Sequence, residues 1–224
     1  MKISIEGAPS FATAICTFST GESLYLTYGS MIAMSPGFKV AGSVGAGGLW
    51  RAALRNLIGQ ESFFMGSYTS VEEGSWLAIA SAYPGDIVEL DIGTNTWLLA
   101  PASVLASSVA VGVDPKIGTP RLLFLDEKLV RLKLSGNGIA LIGSFGCLIP
   151  IDLDVGEEVS VDTGYLVGFT DSVTLKLGVV GGLGTTVITG ENLIGHLTGP
   201  GKVLLQTRTL ENYKKWINST NSTE

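Results

Sequence analysis

A strand-turn pattern that occurs three times constrains the fold of this chain more than any other feature. The three copies are residues 21–34, 93–106 and 156–169. Aligned without gaps, each copy has a turn residue, an alternating apolar strand, a second turn and a second apolar strand. Leu26 of the first copy coincides with Leu98 of the second and Val161 of the third. Equivalent segments of one chain predict equivalent structural units that pack on their neighbours.

The second strand of each copy and the lead-in to two copies extend the pattern. Ile32 aligns with Val104 and Val167. Residues 90–93 read Leu-Asp-Ile-Gly and residues 153–156 read Leu-Asp-Val-Gly. An Asp two residues before a Gly is a tight-turn signal, so these residues predict a tight turn at the start of the second and third copies.

Short strands with glycine turns at this spacing are typical of an all-β sandwich or barrel of hairpins. A chain of 224 residues is within the usual range of one such domain. We therefore expect a single β domain over residues 1–217, with repeats at about 18–40, 90–113 and 153–177. The remaining residues, 218–224, read as a polar tail.

Two segments carry helical spacing instead. Residues 49–58 repeat apolar residues on one face, and Gly59 provides a C-terminal stop. Residues 209–217 predict a C-terminal helix with Thr209 as its N-cap. The apolar positions expected to face inward are Leu210, Tyr213 and Ile217.

Composition restricts the partners of the chain. Hydrophobic residues make up 46% and charged residues 15%, which favours a buried subunit interface and hence a homo-oligomer. The net charge of −6 disfavours nucleic-acid binding, because phosphate neutralisation supplies most of that affinity. We therefore expect no DNA partner and disfavour RNA.

The uncharged stretch from residue 92 to 113 is long enough to cross a bilayer. Pro101 and several polar residues interrupt it, and its third-copy counterpart is charged, so we predict strands rather than a spanning helix. Peripheral membrane contact through the Trp50 or Trp216 region stays an alternative. Cys16 and Cys147 lie in apolar runs typical of free thiols, which fits a cytoplasmic protein.

The inventory of reactive side chains predicts no catalytic, metal-binding or cofactor-binding residue. The chain has one histidine, His196, so sites that need several histidines do not assemble within one copy. An enzyme would have to pair His196 with a carboxylate such as Glu61 or Glu191. Adjacent carboxylates on a strand point to opposite faces, which disfavours a catalytic dyad in the three adjacent pairs. Those pairs are Glu72-Glu73, Asp126-Glu127 and Glu157-Glu158.

The glycine-rich stretches also fit no nucleotide motif. Residues 42–48 precede a predicted helix but lack the Gly-x-Gly-x-x-Gly spacing and a βαβ context. Residues 199–202 end like a phosphate-binding loop, but Val203 stands where Ser or Thr is required. We interpret the isolated Asp86, Asp152 and Asp154 as turn residues.

Three strings resemble the altered-inheritance-of-mitochondria (mitochondrial biogenesis) family in its prokaryotic form. They are residues 47–64 with the helix and Glu61-Ser62-Phe63, residues 84–87 (Pro-Gly-Asp-Ile), and residues 197–207 with Leu-Thr-Gly-Pro-Gly and Leu-Gln-Thr. Gln60 stands where the family has glycine. The resemblance implies a double-stranded β-helix type of sandwich, like the trp RNA-binding attenuation protein, and a homo-oligomer with a trimer favoured. It implies no catalytic residue.

The function expected from these features is that of a non-enzymatic oligomeric scaffold or binding protein. A ring that binds a small ligand or RNA and a peripheral membrane-organising protein are the alternatives. The attenuation-protein likeness suggests the first alternative, and the mitochondrial relatives suggest the second.

Overall fold

The computed structural model describes residues 1–42, 65–116, 131–178 and 193–221. These residues form antiparallel sheets and one C-terminal helix, which confirms the predicted all-β fold. The chain opens with β1 (Lys2–Glu6) and continues through three groups of six strands, which we call units 1, 2 and 3.

Unit 1 contains β2 (Thr13–Phe18), β3 (Ser23–Thr27), β4 (Met31–Met34), β5 (Phe38–Ala41), β6 (Met65–Ser70) and β7 (Ser75–Ala80). Unit 2 contains β8 (Ile87–Asp91), β9 (Trp97–Leu99), β10 (Val104–Ser108), β11 (Val111–Lys116), β12 (Arg131–Gly136) and β13 (Ile139–Gly143). Unit 3 contains β14 (Leu148–Leu153), β15 (Glu158–Asp162), β16 (Leu166–Thr170), β17 (Thr174–Gly178), β18 (Ile194–Thr198) and β19 (Gly201–Gln206). Helix α1 (Leu210–Asn221) follows.

Each unit consists of two three-stranded blocks with the same internal order. The leading blocks are β4-β7-β2, β10-β13-β8 and β16-β19-β14. The trailing blocks are β5-β6-β3, β11-β12-β9 and β17-β18-β15. In unit 1, β1 adds a fourth strand beside β2. The three units are therefore variants of one six-stranded arrangement.

Neighbouring units are joined because the trailing block of one unit pairs with the leading block of the next. In the first joint β3 pairs with β10, with Leu26 opposite Ala106. In the second joint β9 pairs with β16, with Leu99 opposite Gly168. Each joint produces a six-stranded sheet that belongs to two units.

A β-bulge at one place in every leading block fixes the correspondence between units. Pairing of β4, β10 and β16 with their inner neighbours shifts register around Ile32, Leu105 and Val167 respectively. A bulge adds a residue to one strand and re-aims its side chain. The gapless alignment is therefore right for the third copy and wrong by one residue for the second, because Leu105 and not Val104 is equivalent to Ile32.

The shared sheets place apolar side chains in three core clusters, one for each unit. Leu24 and Leu26 belong to the first cluster, Trp97 and Leu99 to the second, and Val161 to the third. The bulge residue of one unit enters the core of the unit before it: Leu105 packs in the first cluster and Val167 in the second. Each joint thus combines strand pairing with apolar burial.

Helix α1 confirms the predicted C-terminal helix, and Thr209 caps it by accepting a hydrogen bond from the backbone N–H of Asn212 at 3.2 Å. The helix runs to Asn221, so residues 218–221 extend it where we predicted a tail. Of the residues predicted to face inward, Tyr213 packs against Phe145, although Leu210, Tyr213 and Ile217 all keep more than a third of their surface exposed. The predicted helix at 49–58 lies outside the described residues.

The uncharged stretch 92–113 is a series of short elements: β9, a 3₁₀ turn (Pro101–Ser103), β10 and the start of β11. Within the four described ranges, no helix combines the length and apolarity needed to span a bilayer.

Candidate functional site

A concave site of about 600 Å³ lies where units 2 and 3 meet α1. Its walls come from the 3₁₀ turns Pro101–Ser103 and Thr163–Tyr165, which connect the strands of the two copies, and from the end of β13. Residues 209–214 contribute the side formed by the helix. This volume is within the range of small-ligand sites.

Apolar side chains make up most of the pocket wall. They include Tyr83, Pro101, Phe145, Leu166, Val167 and Leu210. Phe145 is the centre of an aromatic series that also fixes the helix: its ring lies 5.6 Å from Tyr83 and 5.3 Å from Tyr213. Stacked and edge-to-face rings hold one another at defined angles, so this side of the pocket is preformed.

The remaining wall is held by side-chain amide and hydroxyl bonds. Gln206 accepts a hydrogen bond from the backbone N–H of Phe145 at 3.1 Å and donates to the carbonyl oxygen of Gly164 at 3.2 Å. Ser103 donates to the carbonyl oxygen of Ala100 at 2.7 Å. The Gln206 bonds connect β19 to Phe145 and to the turn Thr163–Tyr165, and the Ser103 bond closes the turn Pro101–Ser103.

Arg131 and Thr163 are two of the buried polar residues that line the pocket. Arg131, the first residue of β12, is 7% exposed and lines it. Thr163 is 4% exposed, and its Oγ1 meets no hydrogen-bond partner among the residues that the structure describes. A buried polar atom without a partner costs free energy, so a ligand atom that bonds to Thr163 would recover it.

Charged side chains of α1 stand at the rim. Lys214 and Glu211 line the pocket, and Glu211 also pairs with Lys215 one helical turn on, at 2.9 Å. Among the described residues that line the pocket, the two cationic groups of Arg131 and Lys214 outnumber the one carboxylate, that of Glu211. The arrangement suits an anionic group on the ligand.

No sequence motif predicted this site. Arg131 opens an apolar strand where a solvated arginine is the ordinary expectation, and Thr163 stands in a connector. The one available indication was the third-copy alignment, because Thr163 lies in the turn that corresponds to Pro101 of the second unit.

His196, the histidine considered for catalysis, lies elsewhere, on the exposed face of β18. Its Nδ1 is 2.8 Å from the hydroxyl oxygen of Ser160 on β15, and strand pairing places Lys176 on its other side. Sequence reasoning missed Ser160 because the two residues are 36 positions apart. The carboxylates suggested as partners, Glu61 and Glu191, lie outside the described residues, as does the loop 43–48.

The acidic residues occupy separate structural positions. Glu73 accepts a hydrogen bond from the Thr20 N–H at 3.0 Å, while Glu158 accepts one from Thr198. Glu157 bonds the Asp154 N–H at 2.8 Å, as expected for a turn. The pair Asp126-Glu127 lies outside the described residues. In residues 1–42, 65–116, 131–178 and 193–221, no three potential metal-ligating His, Cys, Asp or Glu residues come together.

Two of the three isolated aspartates differ from the turn interpretation. Asp152 lies within β14 and pairs with Lys202 at 2.6 Å. Asp86 is buried, its carboxylate accepts from the Ile87 N–H at 2.9 Å, and its own N–H donates to the carbonyl oxygen of Gly146 at 3.0 Å. Asp86 thus fixes the entry to β8.

Comparison with known proteins places the chain in a family. The family described as mitochondrial biogenesis AIM24 matches residues 3–208. An uncharacterised protein of Streptococcus pyogenes serotype M6 is 27% identical over 221 residues, which cover 95% of this chain and 88% of that protein. A crystal structure of another Streptococcus pyogenes protein matches with a TM-score of 0.79 at 23% identity, covering 98% of this chain and 99% of that one. The structural match shows a common fold, and the family match shows that this chain belongs to the mitochondrial biogenesis AIM24 family.

Proposed function

We propose that this protein is a non-enzymatic binding protein whose pocket between units 2 and 3 holds a small ligand with an apolar body and an anionic group. The observation that carries the proposal is a buried guanidinium, Arg131, in an otherwise largely apolar wall. Charges are rarely buried without an electrostatic purpose, because desolvation is costly. A guanidinium has five N–H donors, so it can hold a structural partner and a ligand oxygen together.

The apolar body of the ligand follows from the wall. Phe145, Leu166 and Val167 offer few hydrogen-bonding groups to a ligand. Apolar ligand surface that is buried against them contributes about 25 cal/mol per Å² to the binding free energy. Thr163 supplies a hydroxyl that would orient a second polar atom. The ligand class is therefore a carboxylate, phosphate or sulfonate with an aliphatic or aromatic tail.

Binding without chemistry is favoured by the position of the reactive side chains. Ser160 and His196 contact each other on an exposed sheet surface and contribute nothing to the pocket wall. Nucleophilic catalysis requires the base, the nucleophile and the bound substrate at one place.

Calorimetric titration with octanoate and with 1-octanol, which share a chain and differ in charge, tests the proposal. We expect octanoate to bind more tightly, and Arg131→Met to weaken octanoate at least tenfold while changing 1-octanol less than threefold. Thr163→Val tests the hydroxyl with little change in volume. Lys176→Met, which removes an exposed charge on β17, is the matched control and should leave both ligands unaffected.

A fluorescent aromatic sulfonate, 8-anilinonaphthalene-1-sulfonate, serves as an independent probe of the same pocket, and circular dichroism checks that each variant is folded. Equal affinity of octanoate for wild-type protein and the folded Arg131→Met variant would refute the anionic part of the proposal. Failure of all three probes to bind the wild-type protein at millimolar concentration would refute the site.

Peripheral contact with a membrane surface is a second candidate, favoured by the outer face of α1. Trp216 is 61% exposed, and Lys215 directly precedes it. An exposed aromatic residue beside a lysine is the pattern of helices that lie at anionic interfaces. Flotation with vesicles of 30% phosphatidylserine should carry the protein upward, and Trp216→Ala should reduce the floating fraction. Equal flotation of Trp216→Ala and wild type would reject α1 as the contact.

A further inference from the structure

The two joints between units leave one leading block and one trailing block unpaired among the described strands. The trailing blocks of units 1 and 2 pair with the leading blocks of units 2 and 3. The leading block of unit 1 and the trailing block of unit 3 end their sheets at β4 and β15. Neither edge pairs with a further strand in the part of the chain that the structure describes. β4 corresponds to β10 and β16, and β15 corresponds to β3 and β9, the strands that pair at the two internal joints.

The bulge residue of unit 1 shows the same incompleteness. Leu105 and Val167 are 5% and 2% exposed, because each enters the core of the preceding unit. Ile32, their equivalent, enters no core cluster among the residues that the structure describes and is 57% exposed. Met31 and Met34 beside it are exposed as well. Unit 1 therefore presents an apolar strand where units 2 and 3 have a filled interface.

The strand β4 also lacks the features that keep sheet edges apart. Of the eight edge strands in the described sheets, seven carry a charged residue or proline. Those seven are β1, β5, β8, β11, β14, β15 and β17, but in β15 the charged residues Glu158 and Asp162 stand at the two ends and leave the middle of the strand uncharged. β4 reads Met-Ile-Ala-Met. Exposed apolar edges pair with other strands unless they are blocked, so β4 is an edge adapted for pairing.

We propose that β4 of one copy pairs antiparallel with β15 of a second copy of this chain, and that Ile32 enters the unit 3 core of that second copy. The internal joints fix the register: Ala106 opposite Leu26 and Gly168 opposite Leu99 correspond to Ala33 opposite Val161. All three joints then place a small residue opposite a branched apolar one. The four strands ending at β4 and the three ending at β15 form one seven-stranded sheet.

The joint is head-to-tail, since the two copies contribute different surfaces. Repetition of such a contact generates a closed ring or an open filament, and the rotation between copies decides which. The proposal uses no residue of the ligand pocket, so it stands or falls independently of the proposed function.

Disulfide trapping tests the register. In a Cys147→Ser background, Ala33→Cys is introduced into one preparation and Val161→Cys into another, and the two are mixed and oxidised. Directly opposed residues of antiparallel strands have Cα atoms about 4.5–5.5 Å apart, which suits a disulfide. We expect a disulfide-linked dimer in the mixture, at least fivefold more than in a control mixture of Val40→Cys and Val161→Cys. Val40 is 51% exposed on the edge strand β5 and is therefore more accessible than the half-buried Ala33.

Two results would overturn the proposal. One is a yield of linked dimer no higher than in the Val40→Cys mixture. The other is a disulfide that forms only within one chain, when Ala33→Cys and Val161→Cys are combined, because the joint would then close the molecule on itself.

Light scattering provides a measurement that does not depend on introduced thiols. Wild-type protein at 50 μM should have a mass of at least two copies, and Ile32→Glu should reduce it to one. Val109→Glu, which charges another exposed apolar residue in a turn, should leave the assembly intact. A single-copy mass for the wild type, or an unchanged assembly in folded Ile32→Glu protein, would contradict the joint.

Discussion

The side-chain hydroxyl of Ser30 donates a hydrogen bond to the carbonyl oxygen of Leu105 at 3.1 Å, across 75 residues of sequence. The same hydroxyl lies 2.8 Å from the carbonyl oxygen of Thr27, and the Thr27 hydroxyl donates to the carbonyl oxygen of Val104 at 2.6 Å. Unit 1 is thus tied to the bulge of unit 2 by side chains as well as by strand pairing. The first joint between units therefore contains polar side-chain contacts of its own.

Ser30→Ala should lower the free energy of unfolding by about 1–2 kcal/mol, because Ser30 is buried and two carbonyl oxygens lose its donor. Urea denaturation followed by circular dichroism measures the change. Ser10→Ala, at an exposed serine, should change stability by less than about 0.5 kcal/mol. Equal stability of Ser30→Ala and Ser10→Ala would show that the bonds to the joint contribute nothing.

Gly85, in the Pro-Gly-Asp-Ile segment, is required by close backbone approach. A Cβ atom at this position would overlap the carbonyl oxygen of Ser144 and lie 2.9 Å from the Gly146 nitrogen. Gly85→Ala should therefore cost about 2–3 kcal/mol in unfolding free energy, as overpacking does. Gly112→Ala is the matched control, since its added Cβ meets nothing closer than 3.6 Å. Comparable thermal unfolding of the two variants would be inconsistent with this packing.

The alternation of apolar with polar or half-exposed residues was enough to predict the strands, because each strand buries one face. Leu24 and Leu26 are fully buried while Ser23 and Tyr25 between them are not. The pairing of units was beyond that pattern, since Leu26 meets Ala106 eighty positions later and no local signal links them. The one-residue error in the second copy has the same origin: register is set by the joint and by the bulge at Leu105, which composition does not reveal.

The pocket was hidden for a related reason. Arg131 lies on a strand whose other residues predict an ordinary half-buried surface, and Thr163 acquires its position only when units 2 and 3 meet. Helix α1 was predicted from its N-cap Thr209, but its shallow burial was not, because Tyr213 packs against the rings of Phe145 and Trp216 rather than in a core. The likeness to the attenuation protein and the trimeric state stay predictions.

The two cysteines should differ in reactivity. Burial, and secondarily the charge of Glu89, raises the pKa of the Cys16 thiol to about 12, while Cys147 is partly exposed. The thiolate is the nucleophile, so iodoacetamide at pH 8.5 should modify Cys147 in the native protein and leave Cys16 intact. Mass spectrometry of the alkylated peptides distinguishes them, and both should react in guanidinium. Native labelling of Cys16 at the rate of Cys147 would contradict its burial.

The raised pKa of Cys16 also predicts a loss of stability in alkali. In the unfolded chain this thiol ionises near its ordinary value of 9.0, before it does so in the folded protein. Its contribution to stability is present below that pH and is lost as pH rises toward 12. Between pH 8 and 10.5 the urea midpoint of the wild type should fall more than that of Cys16→Ala. Parallel decreases in the two proteins would assign the alkaline loss to other groups.

Helix α1 should open more often when its aromatic contact with Phe145 is removed. Tyr213→Ala deletes an edge-to-face pair at 5.3 Å, and such a pair contributes about 0.5–1.5 kcal/mol. That loss raises the population of the open helix by roughly 2- to 10-fold, since 1.4 kcal/mol is a factor of ten. Trypsin should then cleave after Lys214 and Lys215 faster by a similar factor. Tyr28→Ala, at a tyrosine that is 88% exposed in unit 1, should not change cleavage at these lysines.

Because Leu210, Glu211 and Lys214 line the pocket, the same Tyr213→Ala variant should also lose affinity for octanoate. Faster cleavage with unchanged octanoate affinity would show that the helix contributes nothing to the ligand site.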